Sequence, residues 1–176
     1  MFLKAEKRLY SVALSAIFSG LIIICAWITV PAPLPFTLQT FAIFLATGLL
    51  GFKGSVASVA VYILAGAVGL PVFSGFSAGT GVLSGPTGGY IIGFLFIPIV
   101  SHLVRRVFKG KYLTVSLVAG LVICYLCGSI WYAFWLGEGS YIASLTATVL
   151  PFILPDAVKL FIAVIIIRRI GRFVCR

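Results

Sequence analysis

Asp156 and Lys159 are the residues in this chain best equipped for chemistry. They stand three apart in Pro151-Phe-Ile-Leu-Pro155-Asp156-Ala-Val-Lys159, and at that spacing two side chains share one helix face. An apolar run from Leu160 to Ile167 follows, and then Arg168 and Arg169. If Arg168 marks the inner edge of a membrane helix, Lys159 lies ~13.5 Å deeper and Asp156 ~18 Å deeper. The hydrocarbon core is about 30 Å thick, so both fall near mid-depth. Charge there is costly and needs a partner or a wet cavity, which makes the pair a functional candidate by default. An ammonium can pair a ligand carboxylate, and a carboxylate can accept N–H donors from a ligand head group. The pair can also close on itself as a salt bridge that only stabilises its helix, or close when empty and open for ligand.

Little else in the chain is reactive. The acids are Glu6, Glu138 and Asp156, and the one histidine is His102. That set is too small for paired-carboxylate or divalent-metal catalysis, and it places no imidazole near Asp156. Cys124-x-x-Cys127 is half of a zinc-site spacing, but it sits in an apolar run with no second pair. The reading is therefore not an enzyme, with no resident metal and no cofactor. No Gly-Lys-Ser/Thr occurs, so nothing here binds or splits ATP. Active transport would need its energy from another subunit.

The elements that must position the pair are membrane helices. The chain is 62% hydrophobic and 9% charged, where soluble domains have roughly 45–50% apolar and 25% charged residues. This is an all-α integral membrane protein, one domain over residues 1–176. A net charge of +10 invites a nucleic-acid reading, but the basic residues cluster between apolar runs: Lys4, Lys7 and Arg8; Lys53; Arg105 to Lys111; Arg168 to Arg176. Such clusters mark cytoplasmic ends, so the partner is the lipid bilayer and not nucleic acid. Six transmembrane helices are predicted, with both termini cytoplasmic: about Leu9–Thr29, Thr37–Leu50, Ser55–Gly69, Pro86–Val104, Leu113–Leu136, and from about Phe152 into the C-terminal basic cluster. Counted outward from Lys53, the second and third spans end in the Pro31-Ala-Pro-Leu-Pro35 loop and in a Gly-rich loop. Irregular backbone at that depth is tolerated only where it is buried or lines a cavity, so a cavity opening outward is expected.

The Gly-rich loop, Gly69 to Tyr90, holds seven of the chain's 19 glycines. It is apolar and aromatic, which favours an ordered binding loop over a floppy linker. Around the charged pair, Gln39 supplies an amide, Thr37, Thr87 and Tyr90 supply hydroxyls, and Gly75, Ser77, Gly79 and Gly81 bring backbone donors. Apolar walls with a few fixed polar groups make the usual small-molecule site. In the first helix, Ala16-x-x-x-Gly20 and Ser15-x-x-x-Ser19 place small residues four apart, a pattern that allows close helix packing, either internal or with a partner protein.

Three separated stretches carry a resemblance: Leu-Pro-Phe-Thr-Leu-Gln (34–39), Leu-Pro-Val-Phe-Ser-Gly…Gly-Pro-Thr-Gly-Gly-Tyr (70–90) and Pro-Phe-Ile-Leu-Pro-Asp-x-x-Lys (151–159). In this order they resemble BioY, the biotin-specific substrate-binding (S) components of energy-coupling factor transporters, over nearly the whole chain. The resemblance implies a six-helix S-component fold in the cell membrane that captures biotin from outside. It also implies docking onto a membrane coupling subunit driven by two cytoplasmic ATPase subunits. Ala16 and Gly20 stand where the family's Ala-x-x-x-Ala docking motif is expected. The ligand's carboxylate is expected at Lys159, its ureido N–H groups at Asp156, and its bicycle against Phe73, Phe76 or Tyr90. Two departures stand out: Pro155 directly precedes Asp156 where many relatives have Pro-Gly-Asp, and the chain has no Asn. Competing readings are a membrane enzyme, an assembly protein whose charged pair is only a salt bridge, a carrier for another carboxylated vitamin, and a solitary biotin facilitator.

Overall fold

The computed structural model describes residues 2–30, 36–137 and 141–174. The chain runs α1 (Phe2–Trp27), β1 (Thr29–Val30), β2 (Phe36–Thr37), α2 (Gln39–Leu49), α3 (Phe52–Ala67), a 3₁₀ turn at Ser74–Phe76, α4 (Thr80–Ser84), α5 (Gly88–Gly93), α6 (Phe96–Val107), α7 (Leu113–Leu136), α8 (Tyr141–Thr148) and α9 (Leu150–Val174). The two short strands pair antiparallel, Thr29 opposite Thr37 and Val30 opposite Phe36. The Pro31–Pro35 connection between them, and Glu138 beyond α7, lie outside the described residues.

Six spanning helices were expected. Among the described residues, four helical stretches are long and apolar enough to cross a membrane: Arg8–Trp27, Gly88–Val107, Leu113–Leu136 and Ser144–Gly171. The apolar helices α2 and α3 are shorter, at 11 and 16 residues. They join in a turn so tight that only Leu50 and Gly51 separate them.

The fourth expected helix is divided into α5 and α6. Pro98 explains the division. It has no N–H to offer the Phe94 carbonyl, and Leu95 and Ile97 instead bond three residues back, to Ile92 and Phe94. A short helix, α8, occupies part of the stretch between the fifth and sixth expected helices that the sequence left unassigned. The last helix begins at Leu150, so Pro151 sits in its first turn, where proline is tolerated, and Pro155 lies inside it.

The bundle is built around α2, which is buried along nearly its whole length. Ile43 and Phe44 join Ile22 of α1, Val59 and Tyr62 of α3, Ile97 of α6, Leu117 of α7 and Ala163 of α9 in one continuous core. Small residues let the other helices close in. Ser101 of α6 donates to the Ser116 carbonyl of α7 at 2.9 Å. Ser19 of α1 donates to the Ser58 carbonyl of α3, also at 2.9 Å. The Gly-rich segment is strapped at both ends by tryptophan. Trp27 donates to the Pro71 carbonyl at 3.0 Å and stacks on Phe76, and Trp131 donates to the Gly85 carbonyl at 3.0 Å.

Candidate functional site

The second turn of α9 presents Asp156 to the bundle interior, and Lys159 follows one turn later. Asp156 is buried, with only 2% of its side chain exposed, and Lys159 keeps 12%. Lys159 Nζ lies 2.7 Å from Asp156 Oδ1. The ammonium also donates to the Thr37 carbonyl at 2.8 Å and, at longer range, to Thr40 Oγ1 at 3.4 Å. The start of α2 thus answers the middle of α9.

The carboxylate is held from three elements. Thr40 donates to Asp156 Oδ1 at 2.8 Å, and Tyr125 of α7 donates to Oδ2 at 2.5 Å. A carboxylate oxygen can accept about two hydrogen bonds. Among the described residues, Oδ1 is therefore filled by Thr40 and Lys159, while Oδ2 keeps room for one further donor. Beside the pair, Thr37 donates to Gln39 Oε1 at 2.7 Å. The Gln39 amide nitrogen in turn donates to the hydroxyl of the fully buried Tyr62.

These groups line a cavity of about 80 Å³. Thr37, Gln39 and Thr40 form one wall and Asp156 and Lys159 another. Ser74 and Thr87 come from the segment before α5, Tyr90 and Ile91 from α5, Phe94 from just after it, Cys124 and Tyr125 from α7, and Phe152 from the start of α9. Phe152 stacks on Phe36 with ring centroids 4.4 Å apart. Tyr90 lies over Gly128, where any Cβ would overlap its ring, and its hydroxyl points at the Thr148 carbonyl at 3.4 Å. The chemistry on offer is one ammonium, one carboxylate, an amide and several hydroxyls between aromatic walls, which suits a small acid with an N–H-bearing head.

Of the residues singled out from sequence, Thr37, Gln39, Thr87, Tyr90, Asp156 and Lys159 come together around this cavity. Phe73, Gly75, Ser77, Gly79 and Gly81 do not line it. Phe73 turns inward instead, fully buried and edge-on to Tyr62 at 5.5 Å, with its ring against Gly66. Gly75 and Gly79 have φ of +65° and +90° and shape the loop's turns. Ser77 closes one of those turns by bonding the Ser74 carbonyl. His102 bonds the Pro98 carbonyl and packs on Phe52, away from the cavity lining.

Sequence reasoning missed Thr40, Tyr125 and Phe152. Tyr125 left no distinct signal, because α7 also carries Thr114, Ser116, Ser129 and a second phenol, Tyr132. In α1, Ala16 is exposed and a Cβ at Gly20 would meet nothing within 4 Å, whereas Ser15 and Ser19 are buried.

The chain is similar to known proteins in both sequence and fold. The BioY family model matches residues 3–176. A protein of Thermotoga maritima named biotin transporter BioY is 39% identical over 160 residues, covering 90% of this chain and 94% of the relative. A probable biotin transporter BioY of Pyrococcus horikoshii is 44% identical over 160 residues, with the same two coverages. Among solved structures, the S-component for biotin from an ECF-type ABC transporter superposes with a TM-score of 0.87 at 29% identity, covering 95% of this chain and 93% of that one. Matched in sequence almost from end to end, and in fold by the S-component, the chain belongs to the BioY family.

Proposed function

We propose that this chain is the biotin-binding S component of an energy-coupling factor transporter, a multi-pass protein of the cell membrane with both termini on the cytoplasmic side. The observation that carries the reading is the Asp156–Lys159 pair, buried yet lining a cavity. A salt bridge needed only for stability has no reason to border free space. Support for biotin comes from the named relatives and from the match of polar groups. A ureido N–H can fill the vacant acceptor site on Asp156 Oδ2, and the valerate carboxylate can take Lys159 in exchange for the Thr37 carbonyl.

A water needs roughly 10–15 Å³, so 80 Å³ holds on the order of five waters. A bicyclic acid enters only when the walls part. Phe152, which lines the cavity and stacks on Phe36, is one wall that can move without breaking a side-chain hydrogen bond. In this reading capture occurs from the outside, and Ala16 and Gly20 on the open face of α1 dock a membrane coupling (T) subunit driven by two ATPase subunits.

The test is equilibrium binding of biotin and of biotin amide to the purified, detergent-solubilised chain, with Lys159→Ala beside the wild type. Tight biotin binding that weakens in Lys159→Ala far more than amide binding does is the expected result. No binding by well-folded wild type removes biotin as ligand, and other carboxylated vitamins follow. Equal loss for both ligands moves the carboxylate away from Lys159.

A further inference from the structure

We propose that the groove between α7 and α9 is a binding site for an anionic phospholipid, with the phosphate at Arg168 and an acyl chain reaching the back of Tyr125. The groove encloses about 700 Å³ and is distinct from the cavity around Asp156. One bank is a helical stripe of α7 from Thr114 through Val118 and Val122 to Leu126. The other is a stripe of α9 from Ile153 through Ala157 and Phe161 to Arg168. Its length is ~18 Å along α7 and ~22 Å along α9. One leaflet contributes about 15 Å of a 30 Å hydrocarbon core, so a whole acyl chain fits lengthwise.

Three observations select the occupant. Both banks belong to membrane-spanning stretches, so the groove faces lipid and not water. Every lining residue is apolar except Thr114, Tyr125 and Arg168. Thr114 and Arg168 occur together at one end, where a phosphate would meet a hydroxyl and a guanidinium that can grip it with two parallel N–H bonds. Arg168 is exposed, and among the described residues the one salt bridge is Lys159–Asp156, so no described carboxylate is paired with that guanidinium. Arg169 follows directly and adds positive charge. An anionic headgroup is the chemistry that complements this end; a purely apolar partner would leave the guanidinium without one.

Tyr125 gives the site its interest. It lines both the groove and the cavity, so its ring is the partition between a lipid chain on one side and Asp156 on the other.

The experiment is native mass spectrometry of the intact chain released from micelles doped with equal amounts of phosphatidylglycerol and phosphatidylcholine. No biotin is present, so the outcome is independent of the ligand assignment. The wild type should retain phosphatidylglycerol in preference. Arg168→Gln should lower that retention roughly fivefold, the weight of one basic residue at an anionic surface, whereas Arg106→Gln, outside the groove, should leave it unchanged. Val122→Trp, which fills the groove at an exposed position, should reduce retention of both lipids. Equal retention of the two lipids, or an equal effect of Arg106→Gln and Arg168→Gln, overturns the proposal. So does cysteine cross-linking at Val122→Cys that joins two copies of the chain, because a second copy then fills the groove.

Discussion

Tyr125 reaches across from α7 to donate a 2.5 Å hydrogen bond to Asp156 Oδ2 on α9. The bond ties two helices at the level of the cavity and, among the described residues, is the only grip on that oxygen, since Thr40 and Lys159 both bind Oδ1. Tyr125→Phe removes the hydroxyl and little else. Hydrogen bonds to charged groups contribute about 1.5–3 kcal/mol, so thermal unfolding in detergent should show a clear loss of stability. Biotin affinity measured by calorimetry should fall as well. An unchanged melting temperature would mean that the carboxylate finds another donor.

The ion pair itself makes a sharper prediction. Asp156→Asn leaves the Lys159 ammonium in a site with 12% exposure and no counter-charge. Breaking one partner of a buried pair typically costs about 3–5 kcal/mol, while replacing both is often close to neutral. Asp156→Asn should therefore unfold at markedly lower temperature, and the double variant Asp156→Asn with Lys159→Met should recover most of that loss. Biotin binding should stay absent in both. A double variant that is stable and still binds biotin would reduce the pair to a structural salt bridge.

How much of this could be read in advance follows from the physics of each signal. A charge inside an apolar run is conspicuous because hydrocarbon tolerates so few, so Asp156 and Lys159 stood out at once. The ends of the fifth helix were equally plain, since Gly137 at φ +66° stops α7 where an L-residue would be strained. Aromatic side chains gave no such contrast. Phe152 and Tyr125 read as ordinary lining of a membrane helix, and only the fold shows which face meets the cavity. The division at Pro98 was hidden because a proline within an apolar span is common in membranes, where neighbouring groups can take up the freed carbonyl. Within the Gly-rich segment composition is legible and direction is not. Ser74 faces the cavity and its neighbour Phe73 faces the core.

That last contrast can be measured. Phe73 is fully buried against Tyr62 and Gly66. Truncating a buried phenylalanine to alanine costs about 3–5 kcal/mol, so Phe73→Ala should give little folded protein and the milder Phe73→Leu a lowered melting temperature. Titration of the folded fraction of Phe73→Leu should return the wild-type biotin affinity. A fall in affinity without a fall in stability would put the ring at the ligand after all.

The two small-residue stripes of α1 lie side by side in sequence but face different ways. Ser19 donates to the Ser58 carbonyl and packs inward on α3, whereas Ala16 is exposed and Gly20 looks onto open space. Ser19→Ala should lower stability by about 0.5–1.5 kcal/mol, the net worth of one hydrogen bond, with no specific effect on partners. Gly20→Leu should leave the melting temperature and biotin binding intact, because the Cβ it adds meets nothing within 4 Å. It should, however, keep a coupling subunit from approaching. Co-expression with the T and ATPase subunits, followed by affinity capture of the S component, reads this directly. Loss of the partners from Gly20→Leu but not from Ser19→Ala would assign docking to the outward stripe. Undiminished capture of the partners by Gly20→Leu would move the docking face elsewhere on the bundle.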